Sequence, residues 1–155
     1  MEIVRTNTST VKLIYNMPNY ISKLKHTTAK TLFIGKMPEK SIYFPKLGQD
    51  IKYTIGKNAA DNFAILDLAE PHHIWFHVEG SPSSHVIAEV PADYNTFDKK
   101  TMLSIVKQGA ILCKQHSASA SDKKVSIMYS EVVNVQKHEH IVGTVIVPTY
   151  KTVVI

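Results

Sequence analysis

Residues 97–116, FDKKTMLSIVKQGAILCKQH, form the one long stretch of the chain whose apolar residues recur with helical period. Leu103, Val106, Ala110 and Cys113 fall on one stripe, and a lone amphipathic helix has to bury such a stripe against another element. The segments around it are β-type, short runs bounded by Gly, Pro and Lys clusters. KTLFIG (30–35), SIYF (41–44) and DIKYTIG (50–56) precede the helix; KVSIMY (124–129), EVVNVQKH (131–138) and GTVIVPTYKTVVI (143–155) follow it. Runs 73–79 and 84–90, joined by GSPS, read as a hairpin. A shorter helix is predicted over NAADNFAILDLAE (58–70), with Ala59, Phe63 and Leu66 on one side. Asn58 is its N-cap, Asp61 stands at the N3 position of a capping box, and Pro71 follows its end. The expected fold is α+β: a single domain in which a mainly antiparallel β-sheet packs with one long and one short helix.

A chain of 155 residues can bury a core of its own, and 44% hydrophobic with 20% charged residues is the composition of a folded globular domain. No apolar run approaches the ~20 residues of a membrane span, and the first twenty residues do not read as a secretory leader. The single Cys113, predicted to be a core residue, has no intrachain disulfide partner, which fits a reducing compartment. The cytoplasm is the expected location, the nucleus the alternative. Charge is unevenly spread. Residues 1–57 carry a balance of +7, residues 58–98 a balance of −7 with no Lys or Arg, and residues 99–155 a balance of +5. A phosphate backbone would be held by the basic arms rather than by the acidic middle.

That acidic middle contains IWFHVEGSPSSHV (74–86), with the only Trp of the chain, two His and three Ser. His73 and His77 share a strand face and His85 could join them across the hairpin, but no zinc-ligand spacing is present, and no metal or other cofactor is expected. Ser83, Ser84 and His85 supply nucleophile and base types, but neighbours on a strand face opposite ways and no G-x-S-x-G elbow exists, so no catalytic residues are assigned and the chain is read as a non-enzyme. IGKNAADN (55–62) lacks the first Gly of a Walker A loop. It still places Lys57 beside a capped helix N-terminus, where an anion is favoured. On the long helix, Lys100, Lys107 and Lys114 recur at seven-residue steps, a ridge able to follow a phosphate backbone or simply to face solvent.

These residues carry a family resemblance. YTIGKNAADNFAILDLAEPHHIWFHVEGSPSSHVIAEVP resembles the NFACT-R domain, the RNA-binding module of NFACT proteins in ribosome-associated quality control. The shared pattern is Gly56-Lys57-Asn58 with Asn62, then Trp75-Phe76-His77-Val78, then Ser84-His85-Val86. Downstream, the long helix, the small-residue loop SASASD (117–122), the strand ending at Tyr129, Val133-Asn134-Val135-x-Lys137, Gly143-x-Val145 and YKTVVI are similar to the family's closing elements. The resemblance covers about residues 42–155. It departs at His73, where the family usually has an acid, and at the Ser-Pro-Ser-Ser turn. It resembles the stand-alone members, and residues 1–38 form an extension outside it.

The resemblance implies a non-catalytic nucleic-acid-binding module, with RNA (tRNA or rRNA) the expected partner and DNA the alternative. Lys57, Asn58, Asn62, Trp75, His77, Ser84, His85, Lys100, Lys107 and Lys114 are its candidate contact residues, the lysines on phosphates and the hairpin on bases or sugars. The rival reading is a protein-interaction adaptor on a ribosomal or translation-associated protein. No membrane partner is expected.

Overall fold

Pairing of short strands builds the frame, seen in a computed structural model that describes residues 37–155. The strand expected at 30–35 lies outside the described residues. Strands β1 (Glu39–Phe44), β2 (Gln49–Ile55), β3 (Ile74–Val78), β4 (Val86–Glu89), β5 (Ser126–Glu131) and β8 (Lys151–Val154) form one sheet in the order β1-β2-β4-β3-β5-β8. Every pairing in it is antiparallel. Among the described residues two α-helices accompany the sheet, α1 (Ala59–Leu68) and α2 (Lys99–Gln115). The fold is α+β, as the sequence indicates. The hairpin expected at 73–90 forms, with Trp75 opposite Ile87 and Phe76 opposite Val86.

Period-two alternation sorts the side chains of this sheet onto two faces. Ile51, Tyr53, Ile55, Ile74, Phe76, Val78, Val86, Ala88 and Ile127 point one way and join Ile105, Val106, Ala110, Leu112 and Cys113 of α2 in a single apolar core. Burial of these side chains is the main stabilising contribution, at roughly 1.5–3 kcal/mol for each large one. Trp75, His77, Ile87 and Met128 belong to the other face by register. That face meets α1, which contacts β2 and β4.

The caps follow sequence rules. Asn58 Oδ1 accepts from the Asp61 backbone N–H at 2.9 Å, and Asp61 reaches back to the Lys57 N–H at 3.4 Å, one residue upstream of the usual capping-box donor. Asp98 caps α2 by accepting from the N–H groups of Lys100 and Thr101. Hydrogen bonds from Thr101 hold its carboxyl below the usual range. Inside the core, the Tyr53 hydroxyl donates to the Ile105 carbonyl at 3.0 Å, and burial pushes that phenol's pKa up.

Two expectations are corrected here. Leu103 is 48% exposed and does not belong to the buried stripe of α2. The stripe runs through Ile105, Val106, Gly109, Ala110, Leu112 and Cys113, and Leu103 stands on the Lys100–Lys107 side, three and four residues from each. The strand expected over 131–138 is instead a 3-10 turn, Val132–Asn134, followed by the two-residue β6 (Gln136–Lys137), which pairs with β7 (Val145–Ile146). The Val132 and Val133 N–H groups bond back to His73 and Pro71 carbonyls, so the chain leaves the main sheet there. Pro148, without an N–H, separates β7 from β8.

Gly109 lies where α2 meets the Phe76 ring, and a Cβ at this position would stand 2.4 Å from it. Gly109→Ala gains about 1 kcal/mol of helix propensity, yet overpacking a closed core costs about 1–3 kcal/mol. Phe76 is fully buried and has nowhere to move, so a net loss of stability is expected, seen as a lower urea midpoint with an unchanged m-value.

Candidate nucleic-acid interface

On the α1 side, where the Gly80–Ser84 loop, the N-terminus of α1, the C-terminal end of α2 and the 142–147 segment meet, lies an open cleft of about 880 Å³. Its back is set by Asn62. The Asn62 Oδ1 accepts from the His85 backbone N–H at 2.9 Å, and its Nδ2 donates to the Ser83 carbonyl at 3.5 Å. The helix comes this close because residue 56 is glycine: a Cβ there would lie 2.2 Å from Asn62 Oδ1. The Gly56 N–H in turn donates to the His85 carbonyl at 2.9 Å. Helix α1 and the start of β4 are thus tied through one side-chain amide.

Three rings form the floor. Trp75 and His77 lie parallel, 5.7 Å apart, and both meet His85 edge-on, at 5.3 and 5.2 Å. Trp75 and His85 are 0% and 1% exposed, while His77 is half-buried and is the outer ring of the three. Burial, and next the proximity of His77, push the His85 pKa down to about 3, against the opposing pull of a hydrogen bond with the Asn62 backbone. Burial also lowers His77. Both imidazoles are neutral at neutral pH. Trp75 Nε1 and His85 Nδ1 are buried without a hydrogen-bond partner, an arrangement that costs about 1–3 kcal/mol per group unless something fills it.

Among the ten residues singled out from the sequence, seven line this cleft: Lys57, Asn58, Asn62, Trp75, His77, Ser84 and His85. Two of them have roles other than expected. The amides of Asn58 and Asn62 are used within the chain, the first on Asp61 and the second on His85 and Ser83. Lys100, Lys107 and Lys114 do not line it. Lys100 and Lys107 are exposed on α2, which covers the opposite face of the sheet, and Lys114 Nζ donates to the Ile155 carbonyl at 3.3 Å.

Sequence reasoning missed the far wall. Gln115, His116 and Ser117 reach the cleft from the end of α2, and Val142, Gly143, Thr144 and Val145 from the β6–β7 turn. The only available signal for the latter was Gly143, with φ +85° and its Cβ position 2.6 Å from Ala59. The turn is held over α1 by Lys137, whose Nζ lies 2.5 Å from Asp67 and over the Phe63 ring. Ser83, which the sequence offers only as a nucleophile type, has a structural role: its hydroxyl accepts from the Val78 N–H at 3.0 Å and donates to the Ser84 carbonyl, which the buried Cys113 thiol also approaches at 3.6 Å. Burial pushes that thiol up to about 12. Among the described residues no group of three His, Cys, Asp or Glu is placed to hold a metal, and no helix is long and apolar enough to cross a membrane.

One electrostatic feature stands out. None of the cleft-lining residues is Asp or Glu, although the 58–98 segment that supplies most of the floor holds seven of them. Asp61 is occupied at the α1 cap, and Glu79, just past the end of β3, accepts from Ser126 Oγ at 2.6 Å.

No family model and no curated protein matches the chain. Among solved structures it is similar to the C-terminal part of a fibronectin/fibrinogen-binding protein from Streptococcus suis, at 19% identity and a TM-score of 0.63, over 97% of this chain and 57% of that one. The likeness is one of fold. The chain spans little more than half the length of that neighbour.

Two measurements test the geometry. Asn62→Ala strands the His85 N–H, so a loss of about 1–3 kcal/mol in chemical denaturation is expected. Lowered histidine pKa values mean that the unfolded chain takes up protons the folded one refuses, so stability falls as the pH drops from about 6.5 towards 3. His85, with its pKa lowered to about 3, contributes a slope of about 1.4 kcal/mol per pH unit in that window, and His77 adds in the same direction. Urea midpoints should fall steadily between pH 7 and 5; a flat profile contradicts a buried, neutral His85.

Proposed function

We propose that the protein is a non-catalytic RNA-binding module of the NFACT-R type, contacting RNA through the α1-side cleft. The observation that carries this reading is the cleft's composition: aromatic and imidazole rings at the floor, Lys57 and the N-terminus of α1 at the rim, and no carboxylate among the lining residues. Rings supply stacking and base-edge contacts, whereas a lysine and a helix N-terminus favour a phosphate. The sequence resemblance through Trp75, His77, Ser84 and His85 points the same way. DNA as the partner differs by the 2′-hydroxyl, and matched RNA and DNA single strands compare the two directly.

The placement of the lysines changes how phosphates would be held. Lys57 stands at the cleft, while Lys100 and Lys107 lie across the sheet from it, so a short strand in the cleft would meet the first and not the others. The adaptor reading draws on the exposed Ile141, Val142 and Ile146 around the β6–β7 hairpin, an apolar edge suited to a protein partner. The fibronectin and fibrinogen binding for which the streptococcal neighbour is named is a property of that longer protein.

Binding of a labelled single-stranded RNA, followed by polarisation at several salt concentrations, tests the reading. Affinity should fall steeply with salt. Lys57→Glu should weaken binding and reduce the log–log salt slope by about one, whereas Lys100→Glu with Lys107→Glu should leave a short RNA nearly unaffected. Salt-independent affinity, or equal loss from both substitutions, would reject the cleft as the RNA site. An adaptor would keep its partner after Lys57→Glu and lose it after Val142→Asp.

A further inference from the structure

We propose that the floor of the cleft receives the Watson–Crick edge of one unpaired nucleobase, read by Trp75 Nε1–H and His85 Nδ1. The inference rests on the RNA reading above and deepens it. It starts from the two buried polar atoms that have no partner in the folded chain. Native proteins satisfy nearly all such groups, so each orphan points to something that completes it. Both belong to rings that line the same cleft and meet edge-on at 5.3 Å.

Their chemistry is complementary. The indole N–H can only donate. His85 is neutral at neutral pH, and its ring has a hydrogen bond with the Asn62 backbone. The proposal takes the Nε2–H tautomer of the neutral ring, in which the unpartnered Nδ1 is an acceptor. A donor beside an acceptor is satisfied by an acceptor beside a donor, and the Watson–Crick edge of each of the four bases offers that pair. In a duplex these atoms are already occupied, so the same two groups select against paired nucleic acid. The lysine and helix N-terminus at the rim and the absence of a lining carboxylate suit the phosphate attached to such a base.

With His77 in its present position neither atom is open to solvent. His77 is the outer, half-buried ring, stacked on Trp75, so a base gains the floor as His77 swings aside.

Trp75 is the only Trp in the chain, so the ¹H–¹⁵N spectrum of the protein contains a single indole resonance. The probes are the four nucleoside 5′-monophosphates, ribose 5-phosphate, and 1-methyladenosine 5′-monophosphate, whose Watson–Crick edge is blocked. A nucleotide should move the indole proton downfield and saturably, ribose 5-phosphate should not, and the methylated nucleotide should bind about tenfold more weakly than its parent. In a folded His77→Ala protein the indole shift should persist, because the reading groups are Trp75 and His85. Three results overturn the inference: an equal shift with ribose 5-phosphate, equal affinity for the methylated nucleotide, or loss of the shift in a folded His77→Ala protein. Single-stranded RNA that binds in a salt-dependent way without moving the indole resonance overturns it while leaving the RNA reading intact. RNA that fails to bind even at low salt removes both.

Discussion

The contact on which the site depends is the amide of Asn62. A helix laid on a sheet by apolar contact alone has several acceptable settings, but a side chain that takes a strand's backbone N–H accepts one. Asn62 does this for His85, and the missing Cβ of Gly56 allows the approach. The bond fixes the N-terminus of α1 beside the end of β4, and with it the rim of the cleft against its floor. Because the amide is buried, its hydrogen bonds are worth more kept than replaced. An asparagine that looks like a ligand contact in the sequence is therefore a piece of the frame.

The sheet works as a partition. One face is closed by α2 and is mainly apolar packing, with the Tyr53 hydroxyl and the Cys113 thiol as polar groups within it. The other gathers three rings with a polar nitrogen, those of Trp75, His77 and His85. Alternation along IWFHV assigns Ile74, Phe76 and Val78 to the first face and Trp75 and His77 to the second. A five-residue strand thus serves the core and the cleft at once. The −7 segment does not make that cleft acidic, because its carboxylates are spent on caps and strand ends or lie away from the cleft.

Much of this was legible in the sequence, for identifiable reasons. The hairpin, the caps at Asn58 and the two helices follow from local rules whose physics is contained in a few neighbouring residues. Leu103 was misplaced because four apolar residues do not define a stripe when Ile105 and Leu112 offer a better one, shifted around the helix. The 131–138 segment has β-type composition, yet backbone bonds to Pro71 and His73 pull it out of the sheet, and that competition is tertiary. Lys100 and Lys107 stand exposed on α2, while Lys114 turns to the Ile155 carbonyl. Their separation from the rings could not be read from the sequence, since which face α2 covers is decided by β-strand order. The wall formed by residues 142–147 depends on contacts to Ala59 and Asp67 more than seventy residues earlier.

The hydroxyl of Tyr53 has a bearing on surface charge. Its bond to the Ile105 carbonyl is directional, and it sits within an otherwise greasy contact over which a helix could slide or roll. A single phenol in that position acts as an indexing pin: it sets the azimuth of α2, and so decides from inside the core which way Lys100 and Lys107 face. The electrostatic outline of the far side of the molecule is in this sense written by an uncharged residue that no ion or partner can touch.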